Sequence, residues 1–557
     1  MFHPKRRVVD QVGRCYWIFA SMLMGSGMAV AQQPTWQAPP KLVVGIVVDQ
    51  MRPDHIYRYW DNFGEGGFKR LVGQGAFLRN AHYTYIPTVT GPGHASIYTG
   101  STPSLHGIVA NERYDRTSGK TIYCAKDTTV QGVGSASAQS SPSQLLATTL
   151  ADEIERRTDG KGITIGVALK DRSSVLPIGR TGDAAYWYSS NGSFVTSTWY
   201  MQELPAWLNA FNAKVLPQEY LDRTWEPLLP LVKYHTPMPD ANIYEQELIK
   251  GAGSAFPYDL AALSKTAGLS LITTTPWGNT LTTDMALAAL TGEAMGKDNI
   301  TDLLAISYSS TDVLGHKMGP RALEVEDMYI RLDQELARLL SELDKQVGAG
   351  KYTLFLTADH GVVDVPAYLK DQKGSAGYVD TRTWKAELND LSKSGSVLLP
   401  AWAKTMYRVD TIFEGQIFLP DSSRSTDFKL RIAEHLLKKD AVAEVYSGSE
   451  LAIGGALSEQ GAILANGFMP QRCGDIVYTL KPGYFEADGA YVGKGTTHGS
   501  GWNYDTHVPV IFFGQGIEPG EVVRRTAVVD IVPTLTMLIG SALPDASVGE
   551  PVPEVLK

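Results

Sequence analysis

Five short apolar runs are spaced along the chain, at residues 42–48, 163–168, 303–308, 353–358 and 508–513. They are rich in Val, Ile and Leu. Runs of this length and composition are typical of buried strands in a parallel sheet. Their spacing predicts an α/β fold in which a central, mostly parallel sheet is sandwiched between helices.

Helical periodicity fills the intervals between these runs. One helix is predicted to begin near Pro92, two others to cover about 143–157 and about 321–347, and a last one to run from Asp530 to Ile539. The segment at about 321–347 has an apolar stripe, as in a helix packed on a core: Met328, Leu332, Leu336, Leu339, Leu340 and Leu343. The alternation of strands and helices therefore extends over most of the chain.

Carboxylates and imidazoles stand near the ends of several apolar runs. Six of them are candidate metal ligands: Asp49, Asp312, His316, Asp359, His360 and His498. Because ligands collect at the carboxyl ends of the strands in such sheets, these side chains are expected to converge on one edge. Three Asp and three His are enough for two three-ligand sites, each with a position open for substrate. This is the composition of a two-zinc phosphoryl-transfer centre.

Two stretches interrupt the alternation, at about 173–300 and about 365–490. The first is rich in Trp and Tyr with Gly and Pro between them, and the second contains further Gly-rich turns. Because the candidate ligands run from position 49 to position 498, one domain must span nearly the whole chain. We therefore expect a single catalytic domain over 32–557, in which both stretches are insertions that cap the active site.

A hydroxyl group precedes the helix predicted near Pro92. Thr90 and Gly91 come directly before this proline, which is suited to the first turn of a helix. A hydroxyl there meets the positive end of the helix dipole, which favours an anionic oxygen and a bound phosphate. The alternative is that Thr90 merely caps the helix. Beside six plausible ligands we favour Thr90 as a nucleophile that also touches a metal ion, with Thr88 as a rival hydroxyl.

Two cations near position 170 bear on the choice of substrate. In an extended segment Lys170 and Arg172 would face the same way, while Asp171 would turn aside. An ammonium group and a guanidinium fork suit the two charges and three free oxygens of a phosphate monoester, and Asn111 can donate one more hydrogen bond. The alternative is a solvated surface triplet. We favour a monoester-binding role for these three residues.

The amino terminus has the parts of an export signal. A basic region with Arg6 and Arg7 is followed by an apolar stretch from Cys15 to about Met28, and then by the small residues Ala29 and Ala31. This pattern predicts a signal peptide over residues 1–31 and a periplasmic or secreted protein. An uncleaved membrane anchor is the alternative, but the apolar stretch is short and interrupted by Ser and Gly. No stable membrane insertion is expected after the signal is removed.

Composition narrows the function further. The 557 residues have an ordinary apolar fraction of 43% and a formal net charge of -9, so no basic patch indicates a nucleic-acid partner. Outside the predicted signal, Cys124 and Cys473 are the two cysteines of the chain. An oxidising compartment permits a disulfide between them, but two inert thiols are an equal alternative.

The order of these motifs resembles the alkaline phosphatase superfamily. The nucleophile region is similar in Thr90-Gly91-Pro92-Gly93-His94, His106-Gly107-Ile108 and Asn111. The metal segments are similar in Asp312-x-x-x-His316, Thr357-Ala358-Asp359-His360-Gly361 and Thr497-His498-Gly499. The threonine-nucleophile branch, which holds bacterial alkaline phosphatases and nucleotide pyrophosphatase/phosphodiesterases, is the most similar. The resemblance covers about 42–540.

This resemblance implies a role for each matched residue. One zinc would lie on Asp312, His316 and His498, and the second on Asp49, Asp359 and His360 with Thr90 beside it as nucleophile. The Lys-x-Arg pattern implies a phosphatase, and a phosphodiesterase or nucleotide pyrophosphatase is the alternative. A sulfatase is not expected, because the chain lacks the Cys/Ser-x-Pro-x-Arg motif. A non-catalytic relative would lack a ligand or nucleophile, and none is missing.

The expected partners and cofactors follow from the same resemblance. Small-molecule phosphate monoesters are the expected substrates, and two zinc ions per chain are the expected cofactors. Magnesium or calcium at additional sites is compatible with this expectation, although the sequence offers no firm ligands for them. A monomer is expected.

Overall fold

An 11-stranded sheet runs through the part of the chain that the computed structural model describes, which is residues 38–236, 238–394, 407–454, 457–487 and 492–557. Residues 39–557 form one compact unit. The predicted signal peptide lies outside the described residues. The strands of the sheet are β1 (Leu42–Val48), β2 (Ala76–His82), β3 (Gly132–Val133), β4 (Thr164–Ala168), β5 (Ala184–Tyr188), β6 (Phe194–Ser197), β7 (Asp302–Tyr308), β8 (Tyr352–Thr357), β9 (His507–Gly514), β10 (Gly520–Val522) and β11 (Thr526–Ala527).

The sheet is parallel at its centre and mixed towards its edges. The strand order is β10-β2-β9-β8-β1-β7-β4-β5-β6-β3, and β11 also pairs with β2. Strands β8, β1, β7, β4 and β5 are parallel neighbours, whereas β9 runs antiparallel to β8 and to β2. All seven residues of β1 are buried, as expected for a central strand with helices on both faces. The five predicted strands and the mostly parallel sheet are confirmed.

The helices used below cover the sheet and lead into the site. They are α1 (Phe68–Gln74), α2 (Thr90–Thr99), α3 (Leu150–Thr158), α4 (Asp171–Ile178), α5 (Pro276–Gly292), α6 (Ser310–Met318), α7 (Leu323–Leu343) and α8 (Ile531–Ile539). The apolar stripe predicted on α7 is buried along its whole length, from Met328 to Leu343. The stripe therefore faces the core, as its periodicity predicts.

One predicted helix begins later than expected. The segment predicted to start at about 143 becomes helical only at Leu150, where α3 begins. Thr149 and Asp152 form a capping box, in which Thr149 N donates to Asp152 Oδ2 at 2.8 Å and Asp152 N donates to Thr149 Oγ1 at 3.3 Å. Leu145 and Leu146 lie before this cap and outside the helix, the first buried and the second exposed. Their helical spacing was therefore misleading.

The first predicted insertion also begins later than its composition indicated. Strands β5 and β6 lie within 173–300, yet they extend the central sheet beside β4. Aromatic and turn-rich composition is equally typical of strands at the side of a sheet, so composition placed this boundary too early. Helices Ala206–Asn212 and Leu216–Leu221 follow β6 outside the sheet.

The second predicted insertion contains a small sheet of its own. Its four strands pair in the order Thr411–Phe413, Gln416–Phe418, Ile476–Leu480 and Val442–Ser447. Apolar side chains that include Ile417, Phe428 and Ile432 form a separate core beneath it. This second insertion is therefore a packed accessory unit rather than a long loop.

The fold answers the question about the two cysteines, whereas the alternative of an amino-terminal membrane anchor concerns residues outside the described part of the chain. Cys124 and Cys473 are both buried and free, so the disulfide alternative is wrong. Burial raises the pKa of the Cys124 thiol to about 12 and that of the Cys473 thiol to about 11, which keeps both protonated and unreactive. Within the described residues no helix has both the length and the apolar character needed to cross a bilayer.

Candidate active site

Three neighbouring parallel strands deliver most of the predicted ligands to one edge of the sheet. Asp49 directly follows β1, and Asp359 and His360 follow β8. Asp312 and His316 lie on α6, which begins two residues after β7. Because β8, β1 and β7 are adjacent and parallel, their carboxyl ends meet at the same place. The sixth residue, His498, lies in the loop that precedes β9.

Asp312, His316 and His498 form a first ligand group. One potential ligand atom from each lies within 4.8 Å of the others. Asp312 Oδ1 is 3.2 Å from His316 Nε2 and 3.5 Å from His498 Nε2. The spacing of four residues places Asp312 and His316 on one face of α6. The group has the donor types and the proximity that a zinc site requires.

Asp49, Asp359 and His360 form a second ligand group that is fully buried. His360 Nε2 is 3.6 Å from Asp49 Oδ1 and 3.5 Å from Asp359 Oδ2. None of these three atoms has a hydrogen-bond partner. Leaving a buried polar atom unsatisfied costs about 1–3 kcal/mol, and more when it is charged. Three unsatisfied atoms of ligand type facing one another therefore fit a bound divalent cation, and the donor set suits zinc.

Asp312 lies between the two groups. Asp49, Asp312 and His360 also offer ligand atoms within 4.8 Å of one another. Gln50, whose backbone is left-handed with a φ of 65°, donates from its amide to Asp312 Oδ1 at 2.8 Å and from its N–H to Asp359 Oδ1 at 3.1 Å. Gln50 is not among the six residues that the sequence predicts as ligands. The structure shows that it connects both ligand groups.

Backbone carbonyls orient the three imidazoles. His316 Nδ1 donates to Thr496 O at 2.9 Å, His498 Nδ1 donates to Thr88 O at 2.8 Å, and His360 Nδ1 donates to Gly361 O at 3.0 Å. A carbonyl only accepts, so each Nδ1 carries the proton and each Nε2 presents a lone pair to the site. This is the arrangement in which proteins hold metal-binding histidines.

Burial sets the charge states within the two groups. It lowers the pKa of His360 and of His498 to about 3, so both imidazoles are neutral. Burial, together with Asp312 and Asp359, raises the pKa of Asp49 well above its usual range. Burial also raises the pKa of Asp359 to about 7. Because several carboxylates are buried together here, a nearby positive charge is needed to stabilise their ionised forms.

Lys170 supplies part of that positive charge. Its Nζ atom donates to Asp49 Oδ2 and to Asp312 Oδ2, each at 2.6 Å. Burial alone would raise the pKa of Asp312, but His316 and Lys170 hold it well below its usual range. Lys170 therefore lies between the two ligand groups, where the sequence predicted a substrate-binding cation.

Lys170 and Arg172 were predicted to face the same way because both would lie in an extended segment, and this reason is wrong. Only Lys170 is extended, because α4 begins at Asp171 and Arg172 lies in its first turn. Arg172 Nη1 donates to Tyr123 OH at 3.1 Å, while its buried Nε has no partner. Asp171 does turn aside, since it accepts from Tyr123 OH and from Ser140 Oγ. Lys170 contacts Asp49 and Asp312 of the ligand groups, Arg172 contacts Tyr123, and the role of both in binding a monoester stays a prediction.

Thr90 is the first residue of α2 and is 1% exposed. It does not cap the helix, because Val89 occupies the cap position without a side-chain bond. The rival hydroxyl, Thr88 Oγ1, donates to Ser500 O at 2.8 Å. The Oδ1 atom of Asn111 accepts from Gly91 N at 2.7 Å, which leaves the Asn111 amide group able to donate. Thr90 and Asn111 thus adjoin at the helix start.

Helix α2 packs closely against the second ligand group. A Cβ atom on Gly93 would lie 2.5 Å from Asp359 O, so only glycine permits this approach. His94 Nδ1 donates to Thr90 O at 2.9 Å, and Nε2 contacts Ser307 Oγ at 2.9 Å. Burial lowers the pKa of His94 to about 3, so the imidazole is neutral and structural, as expected for a histidine outside the ligand set.

The chain resembles known proteins over almost its whole length. The sequence model of the type I phosphodiesterase / nucleotide pyrophosphatase family matches residues 43–501. A protein named calcium-transporting ATPase from Myroides odoratus is 39% identical over 525 residues, which are 93% of this chain and 95% of that protein. Alkaline phosphatase PafA from Elizabethkingia meningoseptica is 40% identical over 549 residues, 97% of this chain and 98% of that protein.

A solved structure agrees with these sequence comparisons. The crystal structure of wild-type alkaline phosphatase PafA superposes with a TM-score of 0.87 at 40% identity, and covers 93% of this chain and 99% of that one. The motifs, the sheet topology and the comparisons therefore lead to one conclusion. The chain belongs to the alkaline phosphatases of the type I phosphodiesterase / nucleotide pyrophosphatase family, and it is an enzyme.

Proposed function

We propose that the protein is an exported, zinc-dependent phosphomonoesterase that hydrolyses phosphate monoesters through a covalent phosphothreonine on Thr90. The observation that carries this proposal is the second ligand group, where three buried atoms of Asp49, Asp359 and His360 face one another without partners. They lie against the helix that begins with Thr90. A cation site next to a hydroxyl at a helix start is what phosphoryl transfer to threonine requires.

The two ligand groups define where the zinc ions would be held. Asp312, His316 and His498 would hold one ion, and Asp49, Asp359 and His360 the other, with Thr90 beside it. When bound, two such ions supply positive charge to the attacking and leaving oxygens of an in-line displacement. They would also take over the charge compensation that Lys170 provides to Asp49 and Asp312, which frees the ammonium group for a substrate.

Asn111, Lys170 and Arg172 would bind the phosphate group. The Asn111 amide, the Lys170 ammonium and the unpartnered Nε of Arg172 are hydrogen-bond donors, and two of them are cationic. A monoester presents two charges and three free oxygens to such a set, whereas a diester has one charge and a second organic group. The donors therefore favour a monoester.

The reaction would proceed in two displacements. In the first, the Thr90 hydroxyl loses its proton and its oxygen forms a bond to phosphorus, while the bond from phosphorus to the alcohol oxygen breaks and that oxygen takes up a proton. The partial positive charge of the α2 N-terminus stabilises negative charge at that oxygen. In the second, water attacks the phosphothreonine, which releases inorganic phosphate and restores Thr90.

The decisive experiment combines metal analysis with a choice of substrates. Elemental analysis should find about two zinc ions per chain, and Asp359→Ala or Asp312→Ala should lose zinc and most activity. The zinc-loaded enzyme should prefer p-nitrophenyl phosphate to bis-p-nitrophenyl phosphate. One zinc per chain with full activity would refute the two-ion mechanism. A preference for the diester would support the phosphodiesterase alternative, which the description of the matching family favours.

Export, domain organisation and assembly belong to the same proposal. The protein would be a monomer in the periplasm or outside the cell, with one catalytic domain over 32–557 and a signal peptide over 1–31. Amino-terminal sequencing of the exported protein should start at Gln32. Light scattering should give the mass of a single chain, and an uncleaved amino terminus would contradict the signal peptide.

A further inference from the structure

A cavity of about 350 Å³ opens beside the first ligand group. Asn111, His316 and His498 line it on the catalytic side. The three residues of the second group, Asp49, Asp359 and His360, do not line it. The cavity therefore opens beside the first ligand group and not beside the second.

The position of the cavity beside the first group matters for the direction in which the leaving alcohol departs. In phosphoryl transfer the attacking and leaving oxygens are roughly in line on opposite sides of phosphorus. Helix α2, which begins with Thr90, packs on Asp359 of the second group. A nucleophile on that side directs the leaving alcohol towards the first group, where the cavity begins.

The walls of the cavity are largely apolar and aromatic. They include Phe468, Leu480 and Tyr484 from the second insertion and Trp502 from the loop after His498. Trp502 Nε1 donates to Leu480 O at 2.9 Å, which joins the two walls. Pockets of this size and composition bind organic rings.

Three acids also line the cavity. They are Glu414, Glu486 and Asp505. Glu414 stands at a hairpin tip with a left-handed φ of 47°, and its buried Oε2 atom has no hydrogen-bond partner. The cavity therefore combines aromatic walls with a small number of polar groups, as ligand pockets commonly do.

We infer that this cavity binds the leaving alcohol, and that it selects phosphate monoesters of ring-bearing alcohols over those of small aliphatic alcohols. This inference rests on the proposed function, because it needs Thr90 as the nucleophile. It assigns a selective role to the second insertion, which contributes half of the residues that line the cavity.

Two substrate pairs test the inference without any mutation. Benzyl and methyl phosphate have alcohols of nearly equal acidity, so their kcat/KM ratio reports contacts with the ring. The ratio should be about tenfold to hundredfold in favour of benzyl phosphate, as expected for burial of an aromatic ring. 2-Phenylethyl phosphate should likewise be a better substrate than ethyl phosphate. Equal values within both pairs would overturn the inference.

Variants then locate the effect. Tyr484→Ala and Phe468→Ala should lower kcat/KM for benzyl phosphate towards the value for methyl phosphate. They should leave unchanged the methyl phosphate value and the inhibition constant of inorganic phosphate. Trp199→Ala removes a large exposed ring that does not line the cavity and serves as the matched control. If both variants lower the methyl and benzyl values equally, the residues are structural and the inference is wrong.

An inhibitor pair provides a measurement that does not depend on turnover. Phenylphosphonate should inhibit more strongly than methylphosphonate in the wild type, and the difference should shrink in Tyr484→Ala. Equal inhibition by both in the wild type would contradict a ring-binding cavity. Hydrolysis of monoesters without ring preference would refute this inference alone, whereas a preference for diesters would refute the proposed function.

Discussion

Under the proposed function, single side chains would decide which phosphate ester the site accepts. Lys170 is the clearest case, because its ammonium group lies 2.6 Å from a carboxylate oxygen of Asp49 and the same distance from one of Asp312. Arg172 is held by Tyr123 and retains one unsatisfied donor. In the proposed function these two cations would bind the second charge of a monoester, which a diester lacks.

Removing both cations should therefore change substrate preference more than general activity. The Lys170→Ala/Arg172→Ala variant should lose about two to four powers of ten in kcat/KM for a monoester, at about 1.5–3 kcal/mol for each charge-assisted contact. A diester should lose much less, as measured with p-nitrophenyl and bis-p-nitrophenyl phosphate. Lys345→Ala, at an exposed position, is the control. Equal losses for both esters would argue against the monoesterase assignment.

The choice between two neighbouring hydroxyls is also a matter of single residues. Thr90→Ala should keep the fold and the zinc but lose several powers of ten in turnover, because the phosphorylated intermediate cannot form. Mass spectrometry of acid-quenched enzyme should find phosphate on Thr90. Thr88→Ser, which retains the hydroxyl that bonds to Ser500, should stay active. Phosphate on Thr88 would show that the nucleophile has been assigned to the wrong residue.

At the scale of elements, the approach of α2 to the end of β8 positions Thr90, the proposed nucleophile. Gly93 allows the first turn of α2 to lie against the backbone of Asp359. Two hydrogen bonds of His94, to Thr90 O and to Ser307 Oγ, hold the same turn from below. The hydroxyl and the second ligand group are thus positioned by one helix–strand contact.

A pair of glycine substitutions tests this contact. Gly93→Ala places a Cβ atom 2.5 Å from Asp359 O, so α2 must shift, and zinc content and activity should both fall. Gly73→Ala lies on an exposed face of α1 with nothing within 4 Å of the added atom. It should stabilise the protein by up to about 1 kcal/mol and leave activity unchanged. Wild-type zinc content in Gly93→Ala would show that the close approach is not required.

At the scale of the whole molecule, the two ligand groups join segments that are far apart in the chain. Gln50 contacts Asp312 across 262 residues, and His498 contacts Thr88 across 410. Several of the ligand atoms are buried and unsatisfied by the protein alone. Bound ions would therefore stabilise the folded state as well as catalyse the reaction.

Chelation should then lower thermal stability. Removing the metal leaves buried carboxylates uncompensated, so the unfolding temperature should fall by several degrees and recover on addition of zinc. Differential scanning calorimetry of the intact protein measures this change. Asp359→Ala, which should not retain its zinc, should respond little to the chelator. An unfolding temperature unaffected by chelation would contradict a structural contribution of the ions.

Local patterns in the sequence were enough to predict much of the fold and several residues of the candidate site. The strands β1, β7 and β8, the buried stripe of α7 and the acids and imidazoles after the strands all follow from side-chain periodicity and residue type. Such features depend on neighbours along the chain, which the sequence lists directly. Local reasoning failed at two helix starts, at Leu150 after the capping box of Thr149 and at Asp171.

Tertiary structure alone decided which groups meet and which are already engaged. It placed Asp312 between both ligand groups, gave Gln50 its bridging role, and separated Thr90 from the engaged Thr88. It also kept Cys124 and Cys473 apart as free thiols and shaped the cavity beside the first ligand group. These properties depend on distances between residues hundreds of positions apart, and such distances are determined by the packing of the whole sheet and its helices.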